Sequence, residues 1–388
     1  MQESEIKKIE YDNDWPTVAI CYDFDKTLSP KDMQNFSLIP KLKCKINPFW
    51  TEAGELAKKN GMDKIIAYMK LIVDKAKAVQ EKITISDFNE LGKSIELFSG
   101  VESWFDRINE IGKSLQINVE HYIISAGLKE IIDGTPIRKY FTGVYASEFY
   151  YDEYGAPCWP CQVVNYTSKT QYLFRISKNC LDLSDEDSVN NYIADSLRRI
   201  PFKRFIYIGD SETDIPAMKI VKQGGGTSIG VYNPNTCKMD KVSKLLQQDR
   251  IDFLMPADYS ANSRIENVLK MVLEKIKKEF DVDELNDKQK DFVNDLDELD
   301  SFIDYTKDFL SDSKLDLKDI KNLEKQGKKI IKRIKKKRID KHLNIAGELE
   351  INTYFNEKKQ ELEKIFEDKT KKLLKKEKAN EARDKKQD

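Results

Sequence analysis

The sequence predicts an α/β fold, three layers deep around a parallel sheet, with a long helical extension behind it. Three observations carry this expectation. Apolar, β-prone runs at residues 18–22, 121–124, 205–208, 228–232 and 251–254 alternate with stretches whose apolar residues recur at helical spacing, the pattern of parallel strands joined by helices. The first three runs end in acids or a hydroxyl: Asp23 and Asp25, then Ser125, then Asp210 and Asp214. Ligands in open α/β sheets bind just beyond the strands' carboxyl ends. Finally, all 11 prolines lie at or before Pro256 and only two glycines follow Gly230, so the last third of the chain is poor in helix breakers.

Composition narrows the classes. At 388 residues the chain can hold two or three domains, with 40% hydrophobic residues for cores and 34% charged residues that must be solvated. A formal net charge of −1 gives no overall pull toward nucleic acid or membrane. The opening residues carry no signal-peptide pattern and no apolar stretch reaches membrane-spanning length, so a cytoplasmic protein without membrane attachment is expected. Of six scattered cysteines, only Cys158 and Cys161 are a close pair. Zinc would need four ligands, with His121 and His342 the only histidines to help, and disulfide redox chemistry is the other reading. Reduced thiols are expected instead.

Taken in order, residues 1–14 form a loose lead-in to the first strand. Asp23 and Asp25 follow that strand, on one side of the chain if it stays extended. A turn directly after the strand would instead let Asp25 offer its backbone carbonyl. Two such acids repel and need a cation, a proton or a phosphate-bound metal. Pro30 stops a helix from continuing the motif. Residues 31–98 read as helical, with Ile65, Ile66, Met69, Ile72 and Val73 on one face and a later helix through Phe88, Leu91 and Ile95. A helix over 100–115 buries Val101, Trp104, Phe105, Ile108 and Ile111.

A short helix starts at Leu128, and Gly134 and Pro136 end it. Residues 145–164 read as strand, turn at 152–155, and strand again. Lys169 opens a helix over 169–177, an acidic loop covers 182–187, and another helix is expected over 188–199. From about residue 283 heptads begin, through Leu285, Phe292, Leu296, Leu299, Ile303 and Leu310. Further helices run through Leu323, Ile330, Ile331 and Ile334, and through Leu362, Ile365, Phe366 and Leu373, with breaks at 311–316 and Gly347. The end, from about Lys375, is expected to fray. The apolar seams call for burial inside one chain, between two copies, or on a protein partner.

In this order, DxDxT at Asp23, Asp25 and Thr27, Ser125 at a strand end, Lys169, and GDxxxD at Gly209, Asp210 and Asp214 resemble the haloacid dehalogenase (HAD) superfamily. The resemblance covers roughly residues 15–275. It implies a Rossmann-like core from residues 1–30 and 99–280, a helical cap over 31–98, and an extension at 281–388 that lies outside the family pattern. The hairpin at 145–164 is similar to the short β insertion of phosphoserine-phosphatase-like members. An acid two positions after the nucleophile favours a phosphatase over a dehalogenase or a P-type ATPase.

The implied chemistry is magnesium-dependent hydrolysis of a phosphate monoester on a small phosphorylated substrate. Asp23 would be the nucleophile forming an aspartyl-phosphate, and Asp25 the general acid and base. Thr27, Ser125, Ala126 and Lys169 would hold the phosphoryl group, with Lys169 neutralising its charge. Mg2+ would sit on Asp23, the backbone carbonyl of Asp25 and Asp210, while Asp214 holds a metal-bound water or orients Lys169. Lys203 lies nearer Asp210 in sequence but directly before the strand, so Lys169 takes the role. Ser211 and Ala126 stand where glycine is frequent in the family, which leaves the substrate open. Phe49, Trp50 and residues 41–45 are either substrate contacts or cap core and solvated loop.

Two other classes stay in view. One is an interaction protein that uses the tail and keeps the α/β core as a scaffold; intact acids at all four motif positions argue against it. The other is a phosphatase of nucleic-acid ends, motivated by the basic run at 328–338. The competing reading of that run is a solvated, acid-paired helix face.

Overall fold

The structure is a computed structural model and describes residues 14–80, 83–236, 240–311, 315–338 and 348–384. The lead-in at 1–13, His342 and the expected break at Gly347 lie outside the described residues. The chain divides into two compact units, Met1–Lys278 and Glu279–Asp388.

The first unit is built on seven strands: β1 (Thr17–Tyr22), β2 (Asn118–Leu128), β3 (Phe141–Tyr151), β4 (Pro157–Gln162), β5 (Phe205–Gly209), β6 (Thr227–Tyr232) and β7 (Phe253–Pro256). Their order is β4-β3-β2-β1-β5-β6-β7, and every neighbouring pair is parallel except β3 with β4. β1 is central, with Tyr22 level with Ile123 on one side and Ile208 on the other. The chain leaves β1 for β2 on one side and returns to β5 on the other. That reversal opens a crevice at the carboxyl end of β1.

The alternation of β1 explains the three layers. Val18, Ile20 and Tyr22 join a core with Trp104 and Phe105, whereas Ala19 and Cys21 join a second core with Leu173, Met218 and Val221. Both faces are therefore covered, and the strand reads as an unbroken apolar run.

The segment between β1 and the helix Val101–Ser114 is helical, with helices Leu38–Lys41, Ile46–Asn60, Lys64–Ala78 and Ile85–Gly92. Asp63 caps the third, accepting from the Ile65 N–H at 2.7 Å. Thr84 and Asp87 form a reciprocal capping box on the fourth.

Several expectations need correction. β3 starts at Phe141, and its first half pairs in parallel with β2, so it is a strand of the core sheet as well as one arm of a hairpin. Gly143, packed against the Tyr122 ring, hides this by breaking the apolar run. The helix expected over 188–199 is only Glu186–Asn190 plus a 3-10 turn at Asp195–Leu197. Lys178 Nζ takes the Val189 and Asn191 carbonyls at 2.6 and 2.7 Å, while Tyr192 and Leu197 are 92% and 78% exposed, so no apolar stripe exists to hold a longer helix. β7 lies two residues later than expected and ends on Pro256, which the sheet edge tolerates. Cys158 and Cys161 sit three residues apart on extended β4, about 10 Å along the strand, too far for a disulfide.

Three helices form the tail: Arg264–Ser311, Leu317–Arg338 and Glu348–Asp384. The first begins well before the expected heptads because Ile265, Leu269, Leu273 and Ile276 pack into the core of the first unit. In the second unit, Phe292, Leu299, Ile303, Ile320, Leu323, Ile334, Phe355 and Leu362 share one core, so the seams close within the chain. The third helix continues past Lys375 to Asp384 instead of fraying, with residues 375–380 exposed. Among the described residues no helix is long and apolar enough to cross a membrane.

Candidate active site

β1 delivers the first acids. The Asp23 N–H is held by the Ile208 carbonyl of β5 at 2.9 Å, and its Oδ1 accepts the Phe24 N–H at 2.8 Å. The chain then turns. The N–H groups of Thr27, Leu28 and Ser29 all return to the Phe24 carbonyl, at 3.2, 2.9 and 3.2 Å. Lys26 takes the left-handed region at φ 60°, its Nζ held by Asp32 at 2.7 Å. Of the two arrangements open to Asp25, the turn is the one present. It brings the Asp25 carboxylate onto the Met33 N–H at 2.8 Å, and the Met33 sulfur accepts the Leu128 N–H at 3.1 Å.

β5 supplies the second pair of acids. A Cβ at Gly209 would lie 2.6 Å from Asp214 Cγ, so only glycine lets Asp214 fold back over the strand end. Asp214 is then fully used. Its Oδ1 accepts from Lys169 at 2.6 Å and Tyr207 at 2.8 Å, and its Oδ2 from the Ser211 N–H and hydroxyl, both at 3.3 Å. Ser211, where the family often has glycine, thus serves as a cap.

Lys169 is aimed by a turn built on Asn165. The Asn165 side-chain oxygen accepts the Thr167 and Ser168 N–H groups at 3.1 and 2.9 Å, and its carbonyl accepts the Lys169 N–H at 3.0 Å. The helix Lys169–Lys178 starts there, and Nζ reaches Asp23 Oδ1 at 3.2 Å as well as Asp214. Lys203 is exposed ahead of β5, at the end of the strand away from Asp210.

The remaining motif residues surround this centre. The Ser125 hydroxyl donates to Asp23 and accepts the Gly127 N–H at 3.2 Å. The Ala126 carbonyl receives the Tyr68 hydroxyl at 2.8 Å and the Ser147 hydroxyl at 3.3 Å. Thr27 is fully buried, and its hydroxyl has no partner among the described residues; its carbonyl accepts the Tyr259 hydroxyl at 2.8 Å. Phe49 is core, and Trp50 donates to Asn35 at 2.8 Å while packing edge-on against Tyr68. Lys41 pairs with Asp87 at 3.0 Å, and Lys43 and Lys45 are exposed. Phe49 is thus packing within this helical segment, Trp50 and Lys41 are engaged by neighbours in it, and Lys43 and Lys45 are solvated.

Met33, Tyr68 and Tyr207 carry no motif and are visible as site residues only in the structure. Tyr68 and Tyr207 lie inside apolar runs, where a buried phenol must find an acceptor; that was the available signal. Met33 meets Asp25 through its backbone N–H, which leaves no trace in the sequence, and its sulfur contact to Leu128 is one that an apolar residue in a core does not announce.

Burial sets the electrostatics. It pushes Asp23 up to about 6, against the pull of Lys169 and with a push from Asp214. Burial, then Asp32 and Asp23, raise Asp25 well above the usual carboxylate range. Burial, then Asp214 and Asp23, do the same to Asp210. Burial works against the charge on Lys169, yet Asp214 and Asp23 raise it above the usual lysine value. Asp23, Asp210 and Asp214 each bring a carboxylate oxygen within 4.8 Å of the others. A second cation therefore suits this site. Hard oxygen donors suit a hard divalent cation, and Asp23 and Asp210 are the acids left to hold one, since Asp214 already serves Lys169.

The fold and site define a Rossmann-like α/β protein with a carboxylate-rich centre at the sheet's switch point. The family profile of haloacid dehalogenase-like hydrolases matches residues 20–219. An uncharacterized protein of Borreliella burgdorferi is 30% identical over 288 residues, covering 67% of this chain and 96% of that protein. Among solved structures, a HAD family hydrolase of Salmonella enterica serovar Typhi matches at 14% identity and TM-score 0.42, over 63% of this chain and 69% of its own. A phosphoserine phosphatase captured as a phospho-aspartyl intermediate analogue matches at 15% identity and TM-score 0.42, over 66% of this chain and 99% of its own. The chain belongs to the haloacid dehalogenase-like hydrolase family.

Proposed function

We propose that the protein is a magnesium-dependent phosphatase that hydrolyses a phosphate monoester through an aspartyl-phosphate on Asp23. The observation that carries this is the placement of Lys169 Nζ 3.2 Å from Asp23 and 2.6 Å from Asp214, with a second acid, Asp25, two residues beyond the first. In the first step an Asp23 oxygen attacks phosphorus, the ester P–O bond breaks, and the proton on Asp25 passes to the leaving oxygen. Water then attacks the same phosphorus, Asp25 takes its proton, and phosphate leaves as the Asp23 carboxylate is restored. Lys169 offsets the charge on the transferring group, and the unpartnered Thr27 hydroxyl supplies a donor for a phosphoryl oxygen. Mg2+, held by Asp23 and Asp210, would supply Lewis-acid polarisation of a phosphoryl oxygen.

The helical segment ahead of residue 98 touches the site through Tyr68, whose hydroxyl reaches the Ala126 carbonyl. Closed over the site, this segment would exclude water during turnover, and opening it would break the Tyr68 bond. The test is hydrolysis of an aryl phosphate and of a panel of phosphorylated metabolites, with magnesium and then with excess chelator. Turnover that appears with magnesium and stops on chelation is expected. Absence of hydrolysis across the panel with magnesium present overturns the proposal.

A further inference from the structure

We infer that the helix Leu317–Arg338 carries a binding surface for the phosphodiester backbone of a double-stranded nucleic acid. Lys318, Lys321, Lys325, Lys328, Lys332 and Lys335 succeed one another at steps of three and four, which places them in one stripe on the helix. All six are exposed. The opposite face, with Ile320, Leu323, Ile330, Ile331 and Ile334, is buried in the core of this unit. From Lys318 to Lys335 the stripe runs about 25 Å at the rise of an α-helix.

A solvated, acid-paired face would need acids beside these lysines. Lys328 has one, Glu324 at 2.5 Å. The other five make no ion pair among the described residues. The helix holds eleven basic residues against two acids, a net +9 in a chain whose total is −1. Like charges at these spacings repel and weaken a helix, and burial of the isoleucine face does not require them.

The surroundings of the stripe select the kind of partner. An amphipathic helix that lies on a membrane needs a free apolar face, and here that face is closed by the bundle. Several acids of the neighbouring helix Arg264–Ser311 are engaged within the chain. Asp295 and Glu298 hold Arg333, Glu284 pairs with Lys288, Asp300 with Lys358 and Asp304 with Lys307. At these five positions a second copy would offer the lysines only acids already paired in its own chain. The helix contains no aromatic residue, so it provides no stacking platform for unpaired bases. An unpaired row of lysines fits a regular row of phosphates, one per about 1.7 Å along a duplex, and reads no sequence.

The experiment uses the full chain with a labelled mixed-sequence duplex of about 20 base pairs, titrated by fluorescence anisotropy from about 50 to 200 mM salt. Binding at low salt is expected, weakening steeply as salt rises. Replacing Lys321, Lys325, Lys328 and Lys332 by Gln should reduce the slope of log K against log salt by about 3 to 4. Circular dichroism and hydrolysis of a small phosphate ester should be unchanged, because none of the four belongs to the catalytic site. Failure to bind duplex at about 50 mM salt overturns the inference, as does full binding by the folded quadruple variant. Tighter binding to a single strand, capture by phosphatidylserine vesicles but not by duplex, or salt-sensitive dimerisation without duplex binding assigns the surface elsewhere and also overturns it.

Discussion

Lys169 Nζ lies 2.6 Å from Asp214 Oδ1, and neither side chain has any exposed surface. The same ammonium is shared with Asp23 at 3.2 Å. Removing it strands two buried carboxylates, whereas removing Asp214 still leaves the ammonium a partner. Lys169→Met should abolish turnover and destabilise the fold by about 3–5 kcal/mol, the cost of breaking a buried pair. For a unit of this size that is a melting temperature lower by roughly 10 °C. Adding Asp214→Asn should recover much of the stability and none of the activity. Melting curves for the single and double variants check this. A Lys169→Met protein that melts with the parent shows that the pair does not hold the site together.

Asp23→Asn acts in the opposite sense. The Asp23 carboxylate is one of the charges that raise Asp210 and Asp25, so neutralising it relieves repulsion while Lys169 keeps Asp214. Turnover should vanish and the melting temperature should hold or rise. Residual turnover in a clean preparation means that Asp23 is not the nucleophile.

Asp25→Asn should slow turnover by about 100- to 10,000-fold, the usual size of general acid–base help. An amide at this position still accepts the Met33 N–H, so the loop should stay in place. The loss should be larger for alkyl than for aryl phosphates, because a phenolate leaves without a proton. Equal losses for both would count against protonation of the leaving group by Asp25.

Legibility in the sequence depended on the kind of contact involved. The parallel core was readable because β1 and β5 are covered on both faces and so appear as unbroken apolar runs. The acids at their ends were readable because a strand sets the position of the residues just beyond it. Asp25 required the turn around Phe24, which depends on backbone hydrogen bonds that any residue could make. Tyr68 and Tyr207 were hidden by serving two purposes, an apolar ring in a core and a hydroxyl aimed at the site. The second half of β2 through β3 was blurred by Gly127 and Gly143. A Cβ at Gly127 would lie 2.2 Å from Met33 Cε, so that glycine is dictated by the site and not by the strand.

Acid stability should report on His121. It is fully buried, its Nε2 side facing Asn109 Oδ1 at 3.1 Å and its Nδ1 facing the Tyr22 hydroxyl at 3.1 Å. Burial lowers it from its usual 6.5 to about 3. A histidine depressed on folding is protonated first in the unfolded chain, so its stabilising contribution is complete above about 6.5 and is lost as pH falls toward about 3. Between pH 6.5 and 5 the loss is on the order of 2 kcal/mol. Asp23, raised to about 6, titrates in the same window with the opposite sign. Urea denaturation of the parent and of His121→Gln across this window isolates the histidine in the difference between them: as pH falls from 6.5 to 5 the variant should gain on the parent by about 2 kcal/mol, because the Asp23 contribution is common to both. Identical slopes would mean that His121 is not held neutral by its surroundings.

Every catalytic candidate precedes Ile215, but the first unit continues to Lys278. The reason lies in the start of the helix Arg264–Ser311. Ile265, Leu269, Val272, Leu273 and Ile276 are packed in the same core as Tyr22 and Trp104. Just before it, Tyr259 reaches the Thr27 carbonyl at 2.8 Å, and Glu266 holds Arg107 at 2.6 Å. A chain ending at Lys278 keeps all of these contacts and should fold and hydrolyse small substrates at the parent rate. A chain ending at Arg264 loses five buried side chains, each worth about 1.5–3 kcal/mol, which together are comparable to the whole stability of an ordinary domain. It should be unfolded or aggregated. Light scattering on the full chain and on the chain ending at Lys278 should give monomeric masses for both, because the second unit buries its seams internally. A full chain that is dimeric where the shorter one is monomeric would place some of that apolar seam between copies.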